Sequence, residues 1–384
     1  MTAKQIIISM ISIGLACVGF GAVRAQETKS ESPQAVSSSL ETIVVTAQKK
    51  SEDIQSVPIA VSVVTAQTLE RAHVVNLEDL KGTMPNVQLS HFGTNVLTTV
   101  FSIRGMGSAD SDPYVGNAVA VVEDGVPIAF NQESMLNVFD TERIEVLRGP
   151  QGTLFGANTT GGVVSIISKQ PTGKLGGQAE FTAGNFHRID SNAALDFPIT
   201  ENTLAGRVTV FHTQQDGYVT NILDGQPLGD INKSAVRTSF RYSKSENFDA
   251  TFILGYSVAR DASNVLVSGV NSGLPWSLPA GTVLPGVLLP MYTAPCESKT
   301  SHCFAPSTYY SASNDIGQSH RADQDIYNAT LTMNWDTSAG KFTSITNYRH
   351  FTLDETQDQD ATPVFLGATE KNTAGWQASE ELRD

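Results

Sequence analysis

The chain has 384 residues, 40% of them hydrophobic and only 17% charged, with 31 Gly and 16 Pro; low charge with abundant Gly suits many short strands and turns rather than helical bundles. Its 25 Lys+Arg against 39 Asp+Glu leave a formal charge of −14, too few cations to build a phosphate-binding face, which excludes nucleic acid as a partner. No stretch after residue 25 holds the roughly eighteen consecutive apolar residues of a transmembrane helix, so any membrane would be crossed by strands.

Residues 1–25 carry one early cation (Lys4), an apolar run from Ile6 to Phe20, and Val23-Arg24-Ala25 before Gln26, the order of a secretory signal. Its removal takes away Lys4 and Arg24 and no carboxylate, leaving the exported chain more acidic still. Outside the cytoplasm Cys296 and Cys303, separated by six residues, read as a small loop-closing disulfide. Metal ligation is disfavoured, because a closed zinc site needs four ligands and the adjacent His302 offers only a third.

Residues 26–40 are polar, Ser-rich and free of aromatics, the composition of a flexible tether. The heptamer Glu41, Thr42, Ile43, Val44, Val45, Thr46 and Ala47 is strand-prone and leads into polar sequence. Two readings stand side by side. One is an exposed strand that adds to the sheet edge of another protein, and the other is an ordinary first strand of the following domain.

Residues 48–172 read as a mixed α+β domain. Strands are predicted at 57–64, 87–90, 98–104, 118–123, 143–148 and 163–168. Thr65 caps a short helix through Arg71, and Asn76 caps a second over 77–81 that Gly82 ends. The glycines 149, 152, 156, 161 and 162 suggest tight turns, since no Gly-Lys-Ser/Thr follows them.

From residue 173 to 384 the texture becomes period-two alternation. Tyr327, Ala329, Leu331, Met333 and Trp335 alternate with Asn328, Thr330, Thr332 and Asn334, and the same phase recurs in other segments. Eight strands are predicted, at 175–183, 188–197, 203–213, 234–243, 249–259, 326–335, 341–351 and 375–383. Each is long enough to cross a bilayer when tilted, and the connections alternate short and long, the asymmetry of an outer-membrane barrel. A soluble β-sandwich is the competing fold. Eight strands could close a barrel only too narrow to hold a 115-residue domain, so the chain is expected to be the N-terminal part of a longer protein.

Several strings resemble one family, the TonB-dependent outer-membrane receptors. ETIVVTA (41–47) resembles its energy-coupling box, FSIRG (101–105) its IRG element, VVEDGVP (121–127) its DGVP element, and ERIEVLRGPQGTLFGANTTGGVVSIISK (142–169) its plug. QASEELR (377–383) resembles its QELR strand. The resemblance implies an α+β plug domain followed by an antiparallel transmembrane β-barrel, incomplete here at about eight strands, in the Gram-negative outer membrane. It implies capture of residues 41–47 by the TonB protein of the inner-membrane energy-coupling complex, and import of an extracellular ligand such as a ferric siderophore, with cobalamin or a glycan as other solutes. Carried over residue by residue, it makes Arg104 and Arg148 plug–barrel locks, with Glu381 as a barrel partner. The plug apices at 90–98, 105–116 and 128–136 would then expose His91, Phe92, Asn95, Asp110, Asp112, Tyr114, Phe130 and Asn131 to substrate. The 261–324 connection, with Trp276 and the cysteine pair, would form a lid.

No cofactor or metal is expected. No triad, zincin or paired-carboxylate pattern emerges among the seven histidines, so no catalytic residue is assigned. The competing functional classes are a passive porin or adhesin and an exported β-rich enzyme.

Overall fold

The computed structural model describes residues 43–384 apart from 73, 75–76, 81, 83, 93–94, 108–114, 131–139, 222–223, 264, 267–282, 285–286, 289–310, 313–319 and 359–367. The signal segment, the tether, Glu41, Thr42, Asn76, Asp110, Asp112, Tyr114, Asn131, Trp276, Cys296 and Cys303 therefore lie outside the described residues.

The N-terminal part begins with a two-stranded hairpin, β1 (Val44–Val45) and β2 (Glu52–Asp53). Next come β3 (Ala60–Thr65) and α1 (Ala66–Arg71). The Thr65 hydroxyl accepts the Thr68 N–H at 3.4 Å, the predicted cap. A single 3-10 turn covers Leu77–Leu80, in place of the predicted second helix. β4 (Val87–Phe92), β5 (Asn95–Ile103) and β6 (Met106–Gly107) form a small antiparallel sheet.

β7 (Val119–Glu123), β8 (Val126–Pro127), β9 (Thr141–Arg148), the one-turn α2 (Gly152–Phe155) and β10 (Gly162–Ser168) complete this part. The central sheet runs β3-β9-β10-β7-β8, with only β10 and β7 parallel. Of the predicted turn glycines, Gly162 shows the need most sharply. Its φ is +153°, and a Cβ there would sit 2.2 Å from the Leu147 carbonyl oxygen.

Both faces of this sheet are covered, which is why β7 and β10 read as near-continuous apolar runs instead of alternating ones. Ile144, Val146, Val164 and Ile166 pack on one side with Leu69, Leu77, Leu89 and Phe101. Leu147, Val163, Ala120 and Val122 pack on the other, and there their cover includes Val45 and Ala47.

The C-terminal part is one eight-stranded antiparallel sheet. Its strands are β11 (Gly176–Ala183), β12 (Ile189–Thr200), β13 (Leu204–Gln215), β16 (Ile231–Ser245), β17 (Phe248–Ala262), β21 (Arg321–Thr337), β22 (Gly340–Asp358) and β23 (Ala368–Arg383), paired in that order. All eight predicted strands are present. Those flanking the long connections run further than predicted, because main-chain pairing continues after the apolar alternation has ended. Within those connections lie β14 (Val219–Asn221), β15 (Pro227–Leu228) and β20 (Ser311–Ala312), which pair together, and the small hairpin β18 (Val283–Leu284) and β19 (Val287–Leu288).

Register assigns every side chain to a face. Asp196, Arg207, Ser239, Ile253, Thr330 and Asn347 are cross-strand neighbours in one row, all buried toward the N-terminal part. The opposite face exposes Leu254, Phe252, Tyr327, Trp335, Tyr348 and Trp376. On that face Phe248, Trp335 and Phe342 align across three strands, and eight residues away Tyr256, Tyr327, His350 and Trp376 align across four. Eight residues of a tilted strand span roughly 20 Å, close to the height of the roughly 25 Å apolar band between aromatic girdles. The competing β-sandwich would require a second sheet over this apolar face; the face is instead exposed.

Candidate functional site

Two ends of the molecule are distinguishable. The short turns after Thr200, Ser245 and Thr337 lie at one end of the large sheet, and the strand ends that flank residues 216–230, 263–320 and 359–367 at the other. The N-terminal strand sits at the short-turn end. There Lys49 of the β1–β2 hairpin pairs with Glu381 near the end of β23, and Arg383 also reaches Glu381, at 2.7 Å.

Of the seven residues expected to be captured, five are described, and none hangs free. Val44 and Val45 pair with Asp53 and Glu52, the Ile43 carbonyl accepts the Ile54 N–H at 3.0 Å, and Val45 is 0% exposed. The Thr46 N–H lies 2.9 and 3.0 Å from the two carboxylate oxygens of Glu145, and its hydroxyl donates to the same carboxylate at 3.1 Å. Arg143 Nε reaches Glu145 at 2.8 Å. The exposed-strand reading is thus corrected for the state described: the strand is stowed, because its apolar residues complete the second face of the central sheet and its donors meet a buried carboxylate.

The N-terminal part is held to the wall by groups that the sequence reading did not single out. Arg207 of β13 places Nε 3.1 and 3.0 Å from the oxygens of Asp140 and also pairs with Asp196. Arg237 of β16 donates to Asp140 at 3.0 Å and to the Ser168 hydroxyl at 2.8 Å, and Thr209 donates to Asp140 at 2.6 Å. Burial pushes the Asp140 carboxyl up, but Arg207, Arg237 and Thr209 together outweigh it and hold the carboxyl below its ordinary range. Asp124 has the opposite balance. Burial, then the neighbouring Glu123, raise its carboxyl despite Arg237 and the Ser168 hydrogen bonds.

Asp196 also accepts the Thr172 N–H at 3.0 Å, so this network reaches the segment joining the two parts. On the far side Arg349 of β22 pairs with Glu123. Arg207 could have been suspected in the sequence as the lone Arg among the wet positions of its strand, whereas Arg237 shares its strand with Arg241 and two Lys.

Toward the long-connection end, Gln377 of β23 donates to the Pro127 carbonyl at 2.9 Å and accepts the Ala129 N–H at 3.0 Å, acting like a short piece of strand. The Phe130 ring meets the Phe351 ring at a tilt of 49°, centroids 5.4 Å apart, in a cluster with Leu97, Ala259, Ala322, Ile326 and Leu353. Phe351 lies across Gly375, where a Cβ would approach its ring to 2.4 Å. Of the residues assigned to substrate, Phe130 is therefore packed against the wall. His91 and Phe92 end β4 and Asn95 begins β5, where Phe92 pairs with Asn95.

The carried-over locks separate from one another. Glu381 is engaged by Lys49 and Arg383, not by Arg104 or Arg148. Arg104, in the left-handed region at φ +55°, lays its guanidinium over Gly149, which joins the IRG and LRG elements. Arg148 pairs through its backbone with Gly162 and Ala60, and its Nε is buried without a hydrogen-bond partner among the described residues.

Comparison with known proteins agrees with this geometry. Residues 53–163 match the family described as TonB-dependent Receptor Plug Domain. The pesticin receptor of Yersinia pestis is 30% identical over 224 residues, 58% of this chain and 32% of the receptor. The iron-regulated outer membrane virulence protein of Vibrio cholerae is 32% identical over 148 residues, 37% of this chain and 22% of that protein. The crystal structure of the ferric yersiniabactin uptake receptor from Yersinia pestis superposes with a TM-score of 0.62 at 22% identity, covering 78% of this chain and 42% of that one, a likeness of fold. The chain thus spans about a third of the length of the first of these curated relatives and about a fifth of the second.

Proposed function

The chain carries the plug domain of the TonB-dependent receptors and part of their barrel, and from this premise we propose that it imports a scarce, large solute across the outer membrane, a ferric siderophore first among the classes, by energised rearrangement of the plug. Residues 41–47 are the segment that a TonB protein captures by strand addition. The observation that carries the reading is the polarity of the molecule. The strand-prone box lies at the short-turn end beside Lys49 and Glu381, while Phe130 packs with Leu97 of β5 against Ile326, Phe351 and Leu353, toward the strand ends that flank the long connections. Solute would meet the plug on one side, and force would be applied on the other.

Seating of the plug falls in this account to Asp140, Arg207 and Arg237, with Arg104 and Arg148 proposed to assist. Substrate contact is proposed at the plug apices, with Phe130, His91, Phe92, Asn95, Asp110, Asp112, Tyr114 and Asn131, and under the 261–324 lid closed by Cys296 and Cys303.

The test is uptake of ⁵⁵Fe-siderophores by cells expressing the receptor, with Val45→Pro as the energy-uncoupled variant, since Pro removes a main-chain donor from the captured strand. Loss of uptake with retained surface ligand binding is expected. Wild-type uptake by Val45→Pro would reject energised import.

A further inference from the structure

Glu145 stands in β9, a strand flanked on both sides in the central sheet, on a face that carries Leu147, Val163, Ala120 and Val122 and, directly across from Glu145, Ser165. A wholly buried carboxylate in such a place must be compensated. Its compensation here comes from Arg143 on its own strand and from Thr46, which contributes a backbone N–H and a hydroxyl. Thr46 belongs to the segment proposed for capture. Within its described part, Ile43 and Val45 face Glu52–Ile54 on one edge, and on the other the Thr46 N–H is taken by Glu145 and its carbonyl accepts the Lys49 N–H at 2.8 Å. In this state the main-chain groups of Ile43, Val45 and Thr46 that strand addition to another protein would use are already engaged.

We propose that Glu145 is the positioning residue that stows the N-terminal strand, so that this strand exchanges between an internal carboxylate and an external sheet edge and only the released form is open to capture. This rests on the import reading for its consequence, but the stowage itself is measured separately. When the strand leaves, Glu145 loses three contacts and keeps Arg143, and the apolar groove under Val45 and Ala47 is uncovered. Release is thereby disfavoured until something compensates for it, and a partner that pairs with the strand is such a compensation. Replacing the charge with a neutral amide removes most of the preference while leaving the volume of the side chain in place, so the open population should rise by about tenfold to hundredfold.

The experiment is hydrogen–deuterium exchange on the full-length receptor in detergent, read at peptides covering 43–50 and, separately, 162–168. In Glu145→Gln, and in Thr46→Val, which alters only the stowed strand, exchange in 43–50 should accelerate by about tenfold or more while 162–168 keeps its rate. Glu142→Gln, on the exposed neighbour, is the control and should leave both peptides at wild-type rates. Unchanged exchange in 43–50 overturns the proposal, as does equal acceleration of 162–168, which would make Glu145 a core residue and nothing more. Binding of the purified periplasmic domain of the cognate TonB protein is then measured. Tighter binding to Glu145→Gln than to wild type supports the exchange between partners, and equal or weaker binding overturns it. If neither protein binds while 43–50 exchanges faster in Glu145→Gln, the stowage stands and the import reading falls.

Discussion

Arg207 of the barrel wall and Asp140 of the plug form a buried pair, with Nε 3.1 and 3.0 Å from the two carboxylate oxygens and both side chains nearly inaccessible to solvent. Arg207→Ala leaves Asp140 with Arg237 and Thr209, so the remaining charge is only partly compensated. A cost of about 3 kcal/mol in plug stability is expected, seen as a lower urea midpoint of plug unfolding in detergent. A change within experimental error would show that Arg237 alone suffices.

The same carboxylate sets an acid limit. Because its folded pKa lies below the unfolded value of 3.8, its contribution is fully present above that value and is lost as pH falls through the lower folded pKa. Asp124, whose folded pKa is raised, works the other way and favours the plug as pH falls from its raised pKa toward the unfolded one. Thermal denaturation from pH 7 to pH 3 should show that Asp140→Asn lowers Tm at neutral pH and flattens the fall at the acid end, whereas Asp124→Asn should remove a stability gain on mild acidification.

Gly375 is small because the Phe351 ring crosses it. Gly375→Ala should push that ring away from Phe130 and cost about 1–3 kcal/mol by overpacking. Double-mutant analysis with Phe130→Ala, read as urea unfolding, should give coupled and not additive effects.

Phe252 sits on the outward face, four residues from each aromatic row. Phe252→Arg should cost about 2–4 kcal/mol of barrel stability, the price of a cation near the bilayer midplane, and should reduce outer-membrane assembly in cell fractionation. Normal assembly would argue that this face does not meet lipid.

How far the sequence could be read depended on periodicity. The eight wall strands were legible because lipid imposes alternation: Tyr327, Leu331 and Trp335 must face outward whatever their neighbours do. The central strands of the plug were legible as β-branched runs, and Thr65 announced its helix by the capping chemistry of its hydroxyl. The stowed strand and the locks were not. Glu145 in TERIEVLR looks like a solvated residue of an amphipathic strand until the other face proves to be covered, and Asp140 and Arg207 are 67 positions apart. Long-range pairing of charges leaves no local pattern. The same holds for Glu381, whose partner Lys49 lies 332 residues away and was missed in favour of Arg104 and Arg148.

The central claim is that the N-terminal strand is handed from the plug to a motor beneath it. The most direct measurement places a photo-crosslinking amino acid at Val44, which is half exposed even when stowed, in cells actively importing solute. The account predicts a covalent adduct with TonB that appears with solute and is more abundant in Glu145→Gln. An absence of adduct during sustained, energy-dependent uptake would contradict it.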